Sequence, residues 1–88
     1  MKKILCSVKD TAVQAFGPVF VMNTREEAIR SLKHEMNRAE STAPAKQFPD
    51  DHELYQVGEW DEVNGKITDT DNTYPELIVR CKDLIQGA

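Results

Sequence analysis

Eighty-eight residues with 40% hydrophobic and 30% charged side chains, four glycines and four prolines, specify one small globular domain. The length excludes a multidomain enzyme, and the composition excludes a disordered or fibrous chain. The net charge of −4 is uneven: up to Lys46 eight Lys and Arg face five acids, and from Gln47 onward three face ten. A globally basic nucleic-acid binder is therefore disfavoured, and any affinity for phosphate has to come from a local basic face.

In chain order, Lys3 to Lys9 alternates, with Ile4, Cys6 and Val8 on one side and Lys3, Ser7 and Lys9 on the other, which predicts a half-buried strand. Lysines at the start imitate a secretory leader, but charge returns at Lys9 and Asp10 before an apolar stretch develops. The expectation is a cytoplasmic protein. Asp10 to Phe16 reads as a connection, Gly17-Pro18 as a turn, and Val19 to Met22 as a second strand antiparallel to the first.

Asn23-Thr24 offers a helix N-cap, with Glu26 and Glu27 in the first turn and Glu27 spaced from Thr24 as in a capping box. The helix is predicted from about Arg25 to about Ala39. Ala28, Ile29, Leu32, Met36 and Ala39 share one apolar sector, while Arg30, His34 and Arg38 form a row on the opposite face, flanked by Lys33 and Asn37.

Pro44 and Pro49 predict an irregular connection from Glu40 to Asp51. Glu53 to Trp60, a turn over Asp61 to Gly65, and Lys66 to Thr68 form a hairpin, with Asn64-Gly65 tolerating positive φ. Leu77 to Ile85 satisfies both helical and strand spacing and is taken as a short strand with an irregular tail. The longest apolar runs, Val19 to Met22 and Leu77 to Val79, fall far short of the roughly 20 residues of a membrane span.

The predicted architecture is α+β, in ββαββ-type order: one small mixed sheet with a single long amphipathic helix packed on one face. The passage from the second strand to the third is a crossover within one sheet. The chain is one domain over 1–88, with its core over about 2–69 and a tail over 70–88. Leu5, Phe20 and Met22 are expected to be exposed on the uncovered sheet face, where they would favour a homodimer or higher homo-oligomer. Cys6 and Cys81 lack ligand spacing and are expected to be buried free thiols.

The opening KKILCSVKDTAVQAFGPVFV, the segment NTREEAIRSLKHEMN and above all FPDDHELYQVGEWDEVNGKI resemble the small non-structural DNA-binding protein of gokushovirus-type microviruses, bacteriophages with single-stranded circular DNA. The resemblance covers roughly Lys2 to Thr68. Its most specific part is carried by Pro49, Asp50, Asp51, Leu54, Tyr55, Gly58, Glu59, Trp60 and Asp61, with His52 and Trp60 departing from the commoner aromatics. It implies a role outside the virion in genome replication or packaging through DNA, with single strands favoured, and no catalytic residues.

The residues themselves suggest where DNA would bind. Arg30, Lys33, His34, Arg38 and Lys46 are the candidate phosphate contacts, since helical residues four apart repeat every about 6 Å. Tyr55 and Trp60 are candidates for base stacking. Regular alternation sends these two rings to opposite faces unless a bulge at Gly58 intervenes. The alternative is an adaptor that docks its acidic half, including Asp50, Asp51, Asp61 and Glu62, on a basic viral or host protein. No cofactor, metal or enzymatic activity is expected: the calcium-loop pattern puts Trp60 at a ligand position, and no phosphate-binding glycine loop or nucleophile turn occurs.

Overall fold

The structure, a computed structural model, describes residues 2–69 and 72–85; residues 70, 71 and 86–88 of the expected tail lie outside the described residues. Among the described residues six strands form one sheet: β1 (Lys2–Asp10), β2 (Ala15–Phe16), β3 (Phe20–Met22), β4 (His52–Asp61), β5 (Lys66–Thr68) and β6 (Glu76–Arg80). Helix α1 (Arg25–Asn37) and the short α2 (Pro44–Gln47) lie between β3 and β4.

Strands β1 and β4 form the long central pair, from Lys2 opposite Asp61 to Asp10 opposite His52. Both β2 and β3 pair with β1, and both β5 and β6 pair with β4, so each outer position is one strand broken in two. All these pairings are antiparallel, which corrects the expected mixed sheet. The crossover from β3 to β4 carries the chain past β1, so these two strands, though parallel, are never neighbours.

The stretch read as a connection before Gly17 contains a hairpin. Asp10 Oδ1 accepts from the Ala12 N–H at 3.0 Å and Gln14 takes the left-handed conformation at φ 57°. Beyond it, the Gly17 N–H donates to the Val8 carbonyl at 2.9 Å and the Ser7 hydroxyl donates to the Gly17 carbonyl at 2.8 Å. A Cβ on Gly17 would stand 3.3 Å from that Val8 oxygen, so glycine permits the close approach.

Cross-strand partners share a face, so the register sorts the side chains. The inner face carries Ile4, Cys6, Val8, Phe20, Met22 and Leu54; the outer face carries Lys3, Leu5, Ser7, Lys9, Val21, Tyr55 and Trp60. Cys6, Ala28 and Leu54 are buried together, with Ile29 and Leu32 of α1 packed against them, while Met36, Ala45, Cys81 and Leu84 form an adjoining cluster. Phe20 and Met22 pack on the first cluster and are not exposed outer residues, because their partners Cys6 and Ile4 point inward. Leu5 does lie on the outer face but is only 7% exposed; Val21 and Leu77 stand out there instead. The core also extends past residue 69, since β6 and the 3-10 turn Cys81–Leu84 supply Ile78, Val79, Cys81 and Leu84.

α1 ends two residues earlier than predicted, because Arg38 is already extended at ψ 130°. The connection after it is not wholly irregular: Pro44 occupies the first turn of α2 and Pro49 starts a 3-10 turn over Pro49–Asp51. Proline breaks a helix interior but suits a first turn, where its missing N–H has no intrahelical partner.

One buried polar network ties these elements together. Gln56, 3% exposed, accepts from Arg25 Nε at 2.7 Å and donates to the Gly58 carbonyl at 3.2 Å and to Tyr74 Oη at 3.0 Å. Arg25 also forms an ion pair with Glu76. Gln56→Leu removes the partner of Arg25 Nε and should cost about 2 kcal/mol in urea unfolding; a loss within experimental error would show that the network contributes nothing.

Burial pushes both the Cys6 and Cys81 thiols up to about 11, and burial also raises Tyr55 and Tyr74. The folded chain therefore holds protons that the unfolded chain releases first. The associated stability is complete below the ordinary thiol value near 9 and is lost as pH rises through about 11. The melting temperature should fall steadily across that window, and the thiols should resist Ellman's reagent at pH 8 until denaturant is added.

Candidate nucleic-acid interface

Thr24 caps α1, its hydroxyl accepting from the Glu27 N–H at 3.1 Å while the Glu27 carboxylate reaches back to Asn23 Nδ2 at 3.1 Å. This fixes the phase of the helix. With Ala28 and Met36 buried, Arg30, Lys33, His34 and Arg38 turn outward and, with Asn37, line one shallow depression of about 430 Å³. Four of the five expected phosphate contacts are thereby gathered on one surface.

Their availability differs. Neither the Arg30 nor the Lys33 side chain forms a salt bridge or hydrogen bond with another described residue, although the Lys33 carbonyl accepts from Asn37 Nδ2 at 2.7 Å. Arg38 is held at 2.8 Å by Glu35, which also accepts from the Ser41 hydroxyl at 3.0 Å. The Arg38 hydrogen bond, then that of Ser41, lowers the Glu35 carboxyl below its ordinary value, and Glu35 correspondingly raises Arg38. Lys46 is set apart from the row: its ammonium donates to the Arg38 carbonyl and, at 3.2 Å, to that of Ala39, satisfying backbone oxygens just past the end of α1.

The aromatic candidates lie elsewhere. The register of β4 against β1 shifts between Leu5 and Cys6, leaving Val57 as an extra residue between Gln56 and Gly58. This bulge brings Tyr55, opposite Ser7, and Trp60, opposite Lys3, onto the same outer face. The bulge expected at Gly58 falls one residue earlier, at Val57, and Gly58 itself is paired with Leu5. Tyr55 meets Phe16 edge to face, with ring centroids 5.4 Å apart, and Lys9 Nζ stands 5.5 Å from the Phe16 centroid. Phe16 and Lys9 were not singled out from sequence, since their meeting depends on the unread hairpin. The whole group sits on the side of the sheet opposite the inner face against which α1 packs, so the basic row and the two rings are separate surfaces.

Much of the acidic half is engaged within the chain. Asp61 accepts from Val63 and Asn64, and the Asn64 side-chain hydrogen bond is the main cause of its lowered carboxyl. Glu53 accepts from the Tyr55 hydroxyl at 2.9 Å and faces Arg80 at 3.5 Å, while Glu62 meets Lys3 at 3.4 Å. Asp69 receives the Thr73 N–H at 2.9 Å. Asp50 and Asp51 lie exposed in the 3-10 turn before β4.

Among the described residues no three His, Cys, Asp or Glu side chains are grouped so as to hold a metal ion, and no helix is long and apolar enough to cross a membrane. No curated protein and no solved structure matches the chain significantly. A family model does: it covers residues 3–84, from the first residues of β1 to the end of the last 3-10 turn. The chain belongs to the phage ORF5 protein family.

Proposed function

We propose that this phage protein is a non-structural DNA-binding protein that holds single strands through the outward face of α1 and assists genome replication or packaging. The observation that carries the reading is the depression on α1, where Arg30 and Lys33, whose side chains have no partner among the described residues, stand beside His34 and Arg38. Cations with no internal partner give up little on meeting a phosphate, and their helical spacing follows an extended backbone. The resemblance to microvirus DNA-binding proteins supports the same reading, and membership of a phage family is consistent with it. Lys46 serves the helix end in this assignment, and Arg38 exchanges Glu35 for phosphate.

The outer face supports self-association. Val21, Ile67 and Leu77 are 47%, 70% and 39% exposed there, around Leu5, Tyr55 and Trp60, with Lys3, Glu62, Glu53 and Arg80 toward its ends. An apolar centre with a charged rim is the anatomy of a protein interface. A second copy on this face leaves both α1 basic rows free, and Tyr55 and Trp60 then pack between copies instead of stacking on bases.

Fluorescence anisotropy with labelled single-stranded DNA over a salt series tests the phosphate site. Three contacts predict a log–log salt slope of about −2. Arg30→Glu with Lys33→Glu should weaken binding at least about tenfold, by removing two contacts and adding repulsion; unchanged affinity would overturn the assignment. Sedimentation tests the outer face: Val21→Lys with Leu77→Glu should convert a dimer to a monomer. Trp60→Ala separates the two roles of the ring, since a stacking ring costs about 1–3 kcal/mol of DNA affinity when removed and a packing ring costs dimerisation instead.

A further inference from the structure

We propose that the crevice where α1 and α2 meet the β1–β2 edge of the sheet binds a guanine base of single-stranded DNA through its N1–H and N2–H donors. The inference rests on the reading of the protein as a single-strand binder and adds a base-reading site to it. The crevice encloses about 380 Å³, within the range of about 300–1,000 Å³ usual for small-molecule sites. Its walls include the apolar side chains of Val8, Leu32, Pro18 and Pro44. Two polar side chains, Asp10 and His52, share its lining.

Those two side chains define what the ligand must offer. His52 is buried, its side chain 7% exposed, with Nδ1 2.8 Å from the Phe48 carbonyl. A carbonyl only accepts, so Nδ1 carries the proton, and in the neutral ring Nε2 is an acceptor. Asp10 Oδ1 is engaged by the Ala12 N–H, and Oδ2 lies 3.8 Å from His52 Nε2, too far for a hydrogen bond. Two acceptors thus stand side by side at an apolar crevice. A ring edge with two adjacent donors satisfies both. Guanine is the DNA base with that edge; thymine flanks one donor with two carbonyl oxygens, and adenine and cytosine place a ring acceptor beside their amine. Bases taken out of a stack are read in this way, by hydrogen bonds to the Watson–Crick edge within a close pocket. Leu32 lines the crevice and Lys33 the basic depression, consecutive residues about 100° apart around one helix.

The test compares the affinity of the full chain for oligothymidylate, for the same strand with one central guanine, and for that strand with inosine, which lacks the N2 amine, at the same place. The guanine strand should bind about tenfold more tightly than the other two. Asp10→Asn keeps an oxygen for Ala12 and puts a donor where Oδ2 stood, so it should erase that preference while affinity for oligothymidylate persists. Ala15→Leu, which fills the crevice at an exposed position, should do the same. Equal affinity for all three strands in the unsubstituted protein overturns the guanine site and leaves the phosphate site standing. If no strand binds even at low salt, the phosphate site fails, and titration with dGMP followed by NMR decides the crevice on its own: shifts confined to His52 and Leu32 support it, and none overturns it.

Discussion

The arrangement of both surfaces depends on Gln56. A side chain with an amide at its end, buried in a small sheet, has to find partners for its oxygen and its nitrogen, and it finds them in Arg25, Tyr74 and the Gly58 carbonyl. The bond to Gly58 joins the two residues that flank the extra Val57. An unpaired amide in that place costs more than the bond itself contributes, so the bulge is fixed by what its loss would leave unsatisfied. Because strand side chains alternate, one inserted residue inverts the facing of all that follows. Leu54 and Gln56 consequently point inward while Gly58 and Trp60 point outward beside Leu5 and Lys3.

Gly58 completes the arrangement on the outer face. A Cβ there would lie 3.6 Å from both the Leu5 and Ile67 side chains, an ordinary contact distance, so glycine is not required by crowding. Leu5 is nonetheless buried by its neighbours, on a face with no helix of its own among the described residues. Charge is distributed by a similar economy of partners. Arg25, Arg38, Lys46, Lys3 and Arg80 each have an internal acceptor, which leaves Arg30 and Lys33 conspicuous on α1. Net charge alone is a poor guide here, because much of the acid that makes the chain negative is paired or used in turns.

Periodicity and caps were legible because their causes are local. Thr24 and Glu27 act within one turn, the α1 apolar stripe repeats every 3.6 residues, and Asp61 to Gly65 uses the turn chemistry of Asn and Gly. The strand Lys66–Thr68 follows directly from that turn. What stayed hidden depends on contacts distant in sequence. The β1–β2 hairpin places Gln14, a residue with no special affinity for positive φ, in the left-handed region, where its amide reaches the Thr11 carbonyl at 2.8 Å. The register shifts of β4 against β1 and β6 were hidden too, because a bulge has no composition of its own. The basic row was visible from helical spacing, but the removal of Lys46 to the helix end was not, since that depends on how α2 folds back after Pro44.

The outward side of α1 is cationic and the outer sheet face mixes apolar, aromatic and charged side chains. These surfaces have opposite requirements. A phosphate contact is strongest where cations remain hydrated and unpaired, whereas an apolar face gains free energy only when water leaves it. Placing the two on opposite sides of the sheet lets each be satisfied independently, because nothing bound to α1 has to cross the outer face. Joining two outer faces would double the number of basic rows without bringing like charges together, since each row points away from the seam. A strand bound to both rows would gain from their effective local concentration, so modest affinity per helix is compatible with firm binding by the pair. Salt should then act twice, weakening each row by counterion competition while leaving the apolar seam intact, so that dissociation from DNA precedes dissociation of the copies.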